Sequence, residues 1–193
     1  MGRSITKEEI TQYEVEDFSG EIFVIDKLID ADRAVDYLYG FKRLGFDTET
    51  RPTFKKGNIH GVALVQLATD DTCFLFRLNQ IDFPPSLAKL LSDPAILKIG
   101  LSLRDDFCSM GRKTKFTPEG FIDIQKIVND HDISDLSLQK VYALLFQKKI
   151  SKSQRLSNWE ADLLTEAQQK YAALDAWACL KIYEELCPTK KYT

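Results

Sequence analysis

Asp47 and Glu49 stand two residues apart in the stretch RLGFDTET, at the end of an apolar run that reads as a buried strand. In an extended chain, residues i and i+2 project to one face, so this spacing aims two carboxylates at one place. A third acid, Asp175, lies in YAALDAWACLKIY four residues after Tyr171, which makes the two side chains neighbours on a helix. It falls on the apolar face marked by Ala167, Tyr171, Ala178, Ile182 and Leu186. A fourth, Asp106, sits in GLSLRDDFCSM. There Ser102 fits an N-cap with Asp105 three residues on, and Leu103, Phe107 and Met110 form the apolar stripe. Asp105 then falls nearly opposite the stripe and Asp106 on its inner edge.

Each acid alone has a plain structural explanation. A D-x-E at a strand end is common, and Asp175 could simply bond a Tyr hydroxyl or a buried backbone donor. As a set they say more. Four carboxylates drawn together repel and raise one another's pKa, and divalent cations remove that repulsion. All-oxygen ligands without His or Cys favour Mg²⁺ or Mn²⁺ over zinc. A carboxylate cluster holding two such ions is the apparatus of in-line phosphoryl displacement.

The elements that must carry these acids alternate along the chain. EIFVID, LGFDT, HGVALVQLAT, TCFLFRL, ILKIG and FIDI read as strands. DADRAVDYLYG (closed by Gly40), PPSLAKLLSD, LSLRDDFCSMG, DLSLQKVYALLF and TEAQQKYAALDAWACLKIYEEL read as helices. Thr165 and Gln168 occupy the two capping-box positions of the last helix. Two of the strands are apolar at nearly every residue, so both their faces should be covered. This order predicts an α/β fold, a mixed sheet flanked by helices on both faces, over residues 21–193, with residues 1–20 as an arm.

The 193 residues suffice for one domain with a proper core, and a net charge of −3 excludes a uniform basic field. No apolar run approaches a membrane span, and MGRSITKEEI lacks a signal-peptide core, so the expectation is a cytoplasmic protein without a membrane partner. Cys73, Cys108, Cys179 and Cys187 form no C-x-x-C pair and His60 and His131 are far apart, which predicts reduced, mostly buried thiols and no zinc. Phosphate-cradling, dinucleotide-binding, serine-hydrolase and zinc-protease motifs are all absent.

The constellation resembles the DEDDy 3′–5′ exonucleases, on the branch of ribonuclease D and the Werner syndrome exonuclease domain. FDTET looks like the first family motif, KIGLSLRDDF like the second and YAALDAWACLKIY like the third, Y-x-x-x-D. The approach SQRLSNWEADLLTEAQQKYAALDA, with Trp159, is similar as well. The resemblance implies a ribonuclease H-like fold and stepwise release of mononucleotides from a 3′ end. It also implies that Asp47, Glu49, Asp106 and Asp175 hold two Mg²⁺ or Mn²⁺ ions. Tyr171, with an ordinary pKa of about 10, is a poor base at neutral pH. The expectation is that it orients the attacking water.

Nucleic-acid 3′ ends, single-stranded or recessed DNA or else RNA, are the expected partners. An acidic chain would hold them through local basic stretches: QKKISKSQR with Lys148, Lys149, Lys152 and Arg155, GRKTK after the second motif, and FKKGN with Lys55 and Lys56. Phe54 or Trp159 could stack on a terminal base. Equally, the lysines read as solvated loop charges and Trp159 as a packing anchor. Relatives of ribonuclease D carry further helical domains, so a chain stopping at Thr193 reads as a stand-alone nuclease or one lent substrates by a partner; a DNA exonuclease is the first reading and a ribonuclease D-like trimmer of structured RNA the second. A silent nucleic-acid-binding module, expected to have lost a ligand, and a small phosphate-ester hydrolase are the remaining readings.

Overall fold

Apolar runs separated by short polar turns become, in the computed structural model, one mixed sheet between two layers of helix; residues 2–53, 60–112 and 114–188 are described. In chain order the elements are α1 (Lys7–Thr11), β1 (Glu14–Val15), β2 (Glu21–Ile25), α2 (Leu28–Leu38), β3 (Arg43–Thr50), β4 (Val62–Ala68), β5 (Thr72–Arg77), α3 (Leu78–Ile81), α4 (Pro85–Leu91), β6 (Leu97–Gly100), α5 (Arg104–Met110), β7 (Phe121–Asp123), α6 (Ile124–Val128), α7 (Leu138–Phe146), β8 (Lys148–Lys149) and α8 (Glu166–Leu186). Among the described residues the main sheet runs β2-β5-β4-β3-β6-β7. The β3–β4 and β4–β5 pairs are antiparallel, and β2–β5, β3–β6 and β6–β7 are parallel.

Every residue of β4 and β5 is buried, as their continuous apolar character requires of strands covered on both faces. One core lies under α6, α7 and α8, and the other under α2, α4 and α5. β3 is central, so its even and odd positions face different cores. Phe46 packs into the second, while Gly45 faces α8. No described helix is long and apolar enough to cross a membrane. All four cysteines are free thiols; Cys73 and Cys179 are buried, whereas Cys108 is exposed and Cys187 half-buried.

Three local expectations are corrected. Helix α2 ends on Tyr39 in the right-handed region (φ −64°), and Gly40 after it does not take the positive φ of a left-handed cap. Ser102 is not the N-cap of α5: it adopts φ 62°, and Leu103 takes the cap position without a side-chain bond. The amides of Ser102 and Leu103 instead donate to the Asp123 carboxylate at 3.0 and 3.2 Å, an attachment across 20 residues that helix rules do not describe. Ala167 is exposed in the first turn of α8, whereas Ala172 to Ala176 are buried without a break. Over residues 172–176, between the sheet and α7, this helix is covered all round, so a single apolar face understates its burial there.

Candidate active site

The site forms where β3 and α8 cross. Alternation along β3 sends Gly45, Asp47 and Glu49 to the α8 side. Gly45 presents no side chain, and the backbone of α8 at Ala176 closes onto it. That approach carries the neighbouring Asp175 to the two acids of β3: one carboxylate oxygen from each of Asp47, Glu49 and Asp175 lies within 4.8 Å of the others. The Tyr171 hydroxyl, one turn before, is hydrogen-bonded to Asp175. The Tyr171 ring rests 6.0 Å from that of Trp159, centroid to centroid.

Asp106 joins from the other side of the strand. Thr48, between the two acids, projects to the opposite face, and its hydroxyl donates to Asp106 Oδ1. Three of the four predicted carboxylates therefore converge, and the fourth is held by Thr48 within electrostatic reach of Asp47 and Glu49.

Burial and crowding make this a costly place for charge. Burial, then the charges of Asp175, Glu49 and Asp106, push Asp47 well above the usual carboxylate range. Burial and the charges of Asp175 and Asp106 raise Glu49 to about 9, against the pull of Arg155. Burial raises Asp175 to about 7, although the Tyr171 hydrogen bond and Lys152 act downwards. Asp106 rises to about 6, again mainly by burial and against its Thr48 bond. Burial, followed by the neighbouring carboxylates, also pushes Tyr171 up, so its hydroxyl keeps its proton.

Asp47, Glu49 and Asp175, with Tyr171, open onto a cavity of about 380 Å³ whose lining adds Leu101, Ser137, Gln139, Lys152 and Arg155. The basic run after α7 is thus divided. Lys152 and Arg155 reach the cavity, but Lys148 pairs with Glu16 at 2.8 Å and Lys149 donates to the Thr11 carbonyl at 2.9 Å. Trp159 is 0% exposed, so the expectation that it stacks on a base is corrected: its ring is a packing anchor beneath Tyr171. Phe54, Lys55 and Lys56 lie outside the described residues. A larger hollow of about 450 Å³ between β2 and α2 is lined by Phe23, Tyr37 and Phe74, and among the described residues its acids, Glu21 and Asp30, form no such cluster.

Sequence reasoning missed Thr48, Ser137 and Gln66. Gln66 pairs in register with Asp47, is 0% exposed and bonds no described residue through either amide atom. The signal was a lone amide inside the apolar run VALVQLA.

The donor set fits a hard divalent cation. It is all oxygen, its members sit at coordinating separation, and their raised pKa values express a repulsion that a cation would relieve. No histidine or thiol joins the cluster among the described residues.

Comparison with known proteins points the same way. The sequence model of a family described as 3′–5′ exonuclease matches residues 22–189. The mouse bifunctional 3′-5′ exonuclease/ATP-dependent helicase WRN is 34% identical over 149 residues, which cover 74% of this chain and 11% of the mouse protein. The crystal structure of the Aedes aegypti Nibbler EXO domain superposes with a TM-score of 0.76 at 25% identity, covering 86% of each chain. Trypanosoma brucei RNase D, crystallised in complex with RNA U12, superposes with a TM-score of 0.78 at 22% identity, over 90% of this chain and 65% of that one. The architecture is thus the ribonuclease H-like one of these nuclease domains.

Proposed function

Since this chain belongs to the 3′–5′ exonuclease family, we propose that it hydrolyses the terminal phosphodiester bond at nucleic-acid 3′ ends, releasing nucleoside 5′-monophosphates with two Mg²⁺ or Mn²⁺ ions. The observation that carries this reading is the meeting of Asp47, Glu49 and Asp175 within 4.8 Å. Asp47, Glu49 and Asp175 would hold the ions, with Asp106 as the fourth ligand. When bound, the ions neutralise the charge that develops on the phosphoryl group and acidify water.

The chain's own residues do the rest. The Tyr171 hydroxyl, kept protonated by burial and by the acids around it, positions the attacking water and does not serve as base. Lys152 and Arg155, on the cavity wall, hold the substrate's phosphates. At about 380 Å³ the cavity lies near the lower end of the range for small-ligand sites, which suits a single terminal nucleotide.

These contacts address phosphate and do not read sequence. DNA is our first reading of the polymer. The likeness in fold to an RNase D crystallised with RNA supports RNA trimming as the second. The experiment is a panel of matched 3′-labelled DNA and RNA, single-stranded and recessed, incubated with Mg²⁺, Mn²⁺ or chelator. Metal-dependent release of mononucleotides from the 3′ end is expected, and the faster polymer names the substrate. Binding without release in any metal would overturn the reading in favour of a silent module.

A further inference from the structure

The segment ahead of β2 has no part in the chemistry above, yet it is tied to α7 and α8, two of the elements that line the cavity. β1 pairs in parallel with β8, Glu14 opposite Lys148 and Val15 opposite Lys149, and the Glu16 amide donates to the Lys149 carbonyl at 2.9 Å. The Glu16 carboxylate accepts from the Tyr142 hydroxyl of α7 at 2.7 Å and from Lys148 Nζ at 2.8 Å. Asp17 pairs with Lys170 of α8 at 3.3 Å, one residue before Tyr171. Phe18 is buried, edge-on to Trp177 of α8 with ring centroids 6.0 Å apart.

Residues 14–18, the first two on a parallel ladder, are thus attached to α7, β8 and α8. Lys152 and Arg155 follow β8 directly, in a loop whose start is held at the Ile150 carbonyl by Gln139 Nε2 at 2.8 Å. Behind the loop, Glu16, Asp17, Ser151, Ser153 and Lys170 enclose a second cavity of about 340 Å³. Tyr171 forms a wall of both cavities.

We infer that residues 14–18 are a strap whose Glu16, a positioning residue, fixes β8 and so holds Lys152 and Arg155 over the carboxylates at the distance a substrate phosphate needs. The role assigned to the two cations rests on the proposed exonuclease function, and the strap itself does not. Glu16 suits this task. Burial opposes its ionisation, but the hydrogen bonds from Lys148 and Tyr142 and the Lys148 charge outweigh it, so the carboxylate stays ionised and bonded across the physiological range. A surface ion pair would contribute little, but this side chain is only 12% exposed and is bonded by two elements.

The test uses the whole chain with Glu16→Gln, Glu16→Asp and Lys148→Met. By hydrogen exchange on protein free of metal and substrate, Glu16→Gln and Lys148→Met should speed exchange of the amides at 150–157 about tenfold while the α8 amides keep their protection. On a 3′-labelled single strand, Glu16→Gln should raise KM about fivefold with kcat within about twofold, and Glu16→Asp should restore part of the loss. In a Lys152→Ala/Arg155→Ala background, Glu16→Gln should add nothing further to KM. Unchanged exchange at 150–157 would overturn the strap. An undiminished KM effect in the double-alanine background would overturn its action through the two cations. If the parent chain degrades no polymer, the exonuclease reading falls while the exchange result still decides the strap.

Discussion

Gly45 of β3 faces the backbone of Ala176 on α8, and a β-carbon at position 45 would run into the Ala176 carbonyl oxygen. The absent side chain is what allows strand and helix to meet, and Asp175 reaches Asp47 and Glu49 because they do. Gly45→Ala should therefore cost about 1–3 kcal/mol of stability through overpacking. It should also lower kcat about 100-fold, since a displacement of about 1 Å at the reacting groups has that effect. Thermal melting and single-turnover nuclease assays check the two parts. Full activity in a stably folded Gly45→Ala protein would show that the approach of α8 does not set the site.

The crowded carboxylates give the metal-free protein a defined pH dependence. Their folded pKa values are raised, to about 6 for Asp106, about 7 for Asp175 and about 9 for Glu49, with Asp47 also well above its usual range. An acid whose folded pKa exceeds its unfolded value contributes stability that is complete below about pH 4 and is lost as pH rises through the folded pKa. In chelator, melting temperature should fall between those limits. Mn²⁺ should raise it more at alkaline than at mildly acidic pH, and Asp47→Asn should raise the alkaline value in chelator while abolishing turnover. Equal Mn²⁺ stabilisation at both pH values would argue against ion binding by this cluster.

Tyr171 offers a separation of binding from chemistry. Its hydroxyl bonds Asp175 and keeps its proton, so removing it takes away a donor without changing the charge of the site. Tyr171→Phe should leave Mn²⁺ affinity within about twofold and slow kcat about 100-fold. Calorimetric titration beside a rate measurement reads both, and a loss confined to metal affinity would reassign the tyrosine to holding the ligands.

What the sequence disclosed follows from the range of the interactions involved. Asp47 with Glu49, and Tyr171 with Asp175, are local relationships set by strand and helix periodicity, and each holds in the structure. The Thr165–Gln168 capping box is local in the same way. Asp106 lies within electrostatic reach of the β3 acids, but its bond to Thr48 spans 58 residues and depends on how α5 meets β3. Ser102 fits a cap by type and spacing, yet it adopts φ 62° and its amide donates to Asp123 of β7, a long-range bond that local rules do not contain. Trp159 reads from the sequence either as a stacking ring or as a packing anchor, and only the folded loop, which buries its ring beside Tyr171, decides for the anchor. The attachments of residues 14–18 to α7, β8 and α8 have no periodic signature at all.

The division of the basic run after α7 yields the last prediction. Lys152 and Arg155 line the cavity, and their charges act on Asp175 and Glu49 respectively, whereas the ammonium of Lys149 is spent on the Thr11 carbonyl. Each cation that contacts a phosphate releases counterions on binding, so its loss reduces the dependence of log K on log salt by about one. Lys152→Ala and Arg155→Ala should each flatten the salt dependence of single-strand binding by about that amount and weaken binding alike for every sequence. Lys149→Ala should leave the slope unaltered. Anisotropy titrations of a labelled oligonucleotide at several salt concentrations, in chelator to prevent cleavage, give the slopes directly. Three equal slopes would mean that the cavity cations do not touch the polymer and that its phosphates lie elsewhere on the surface.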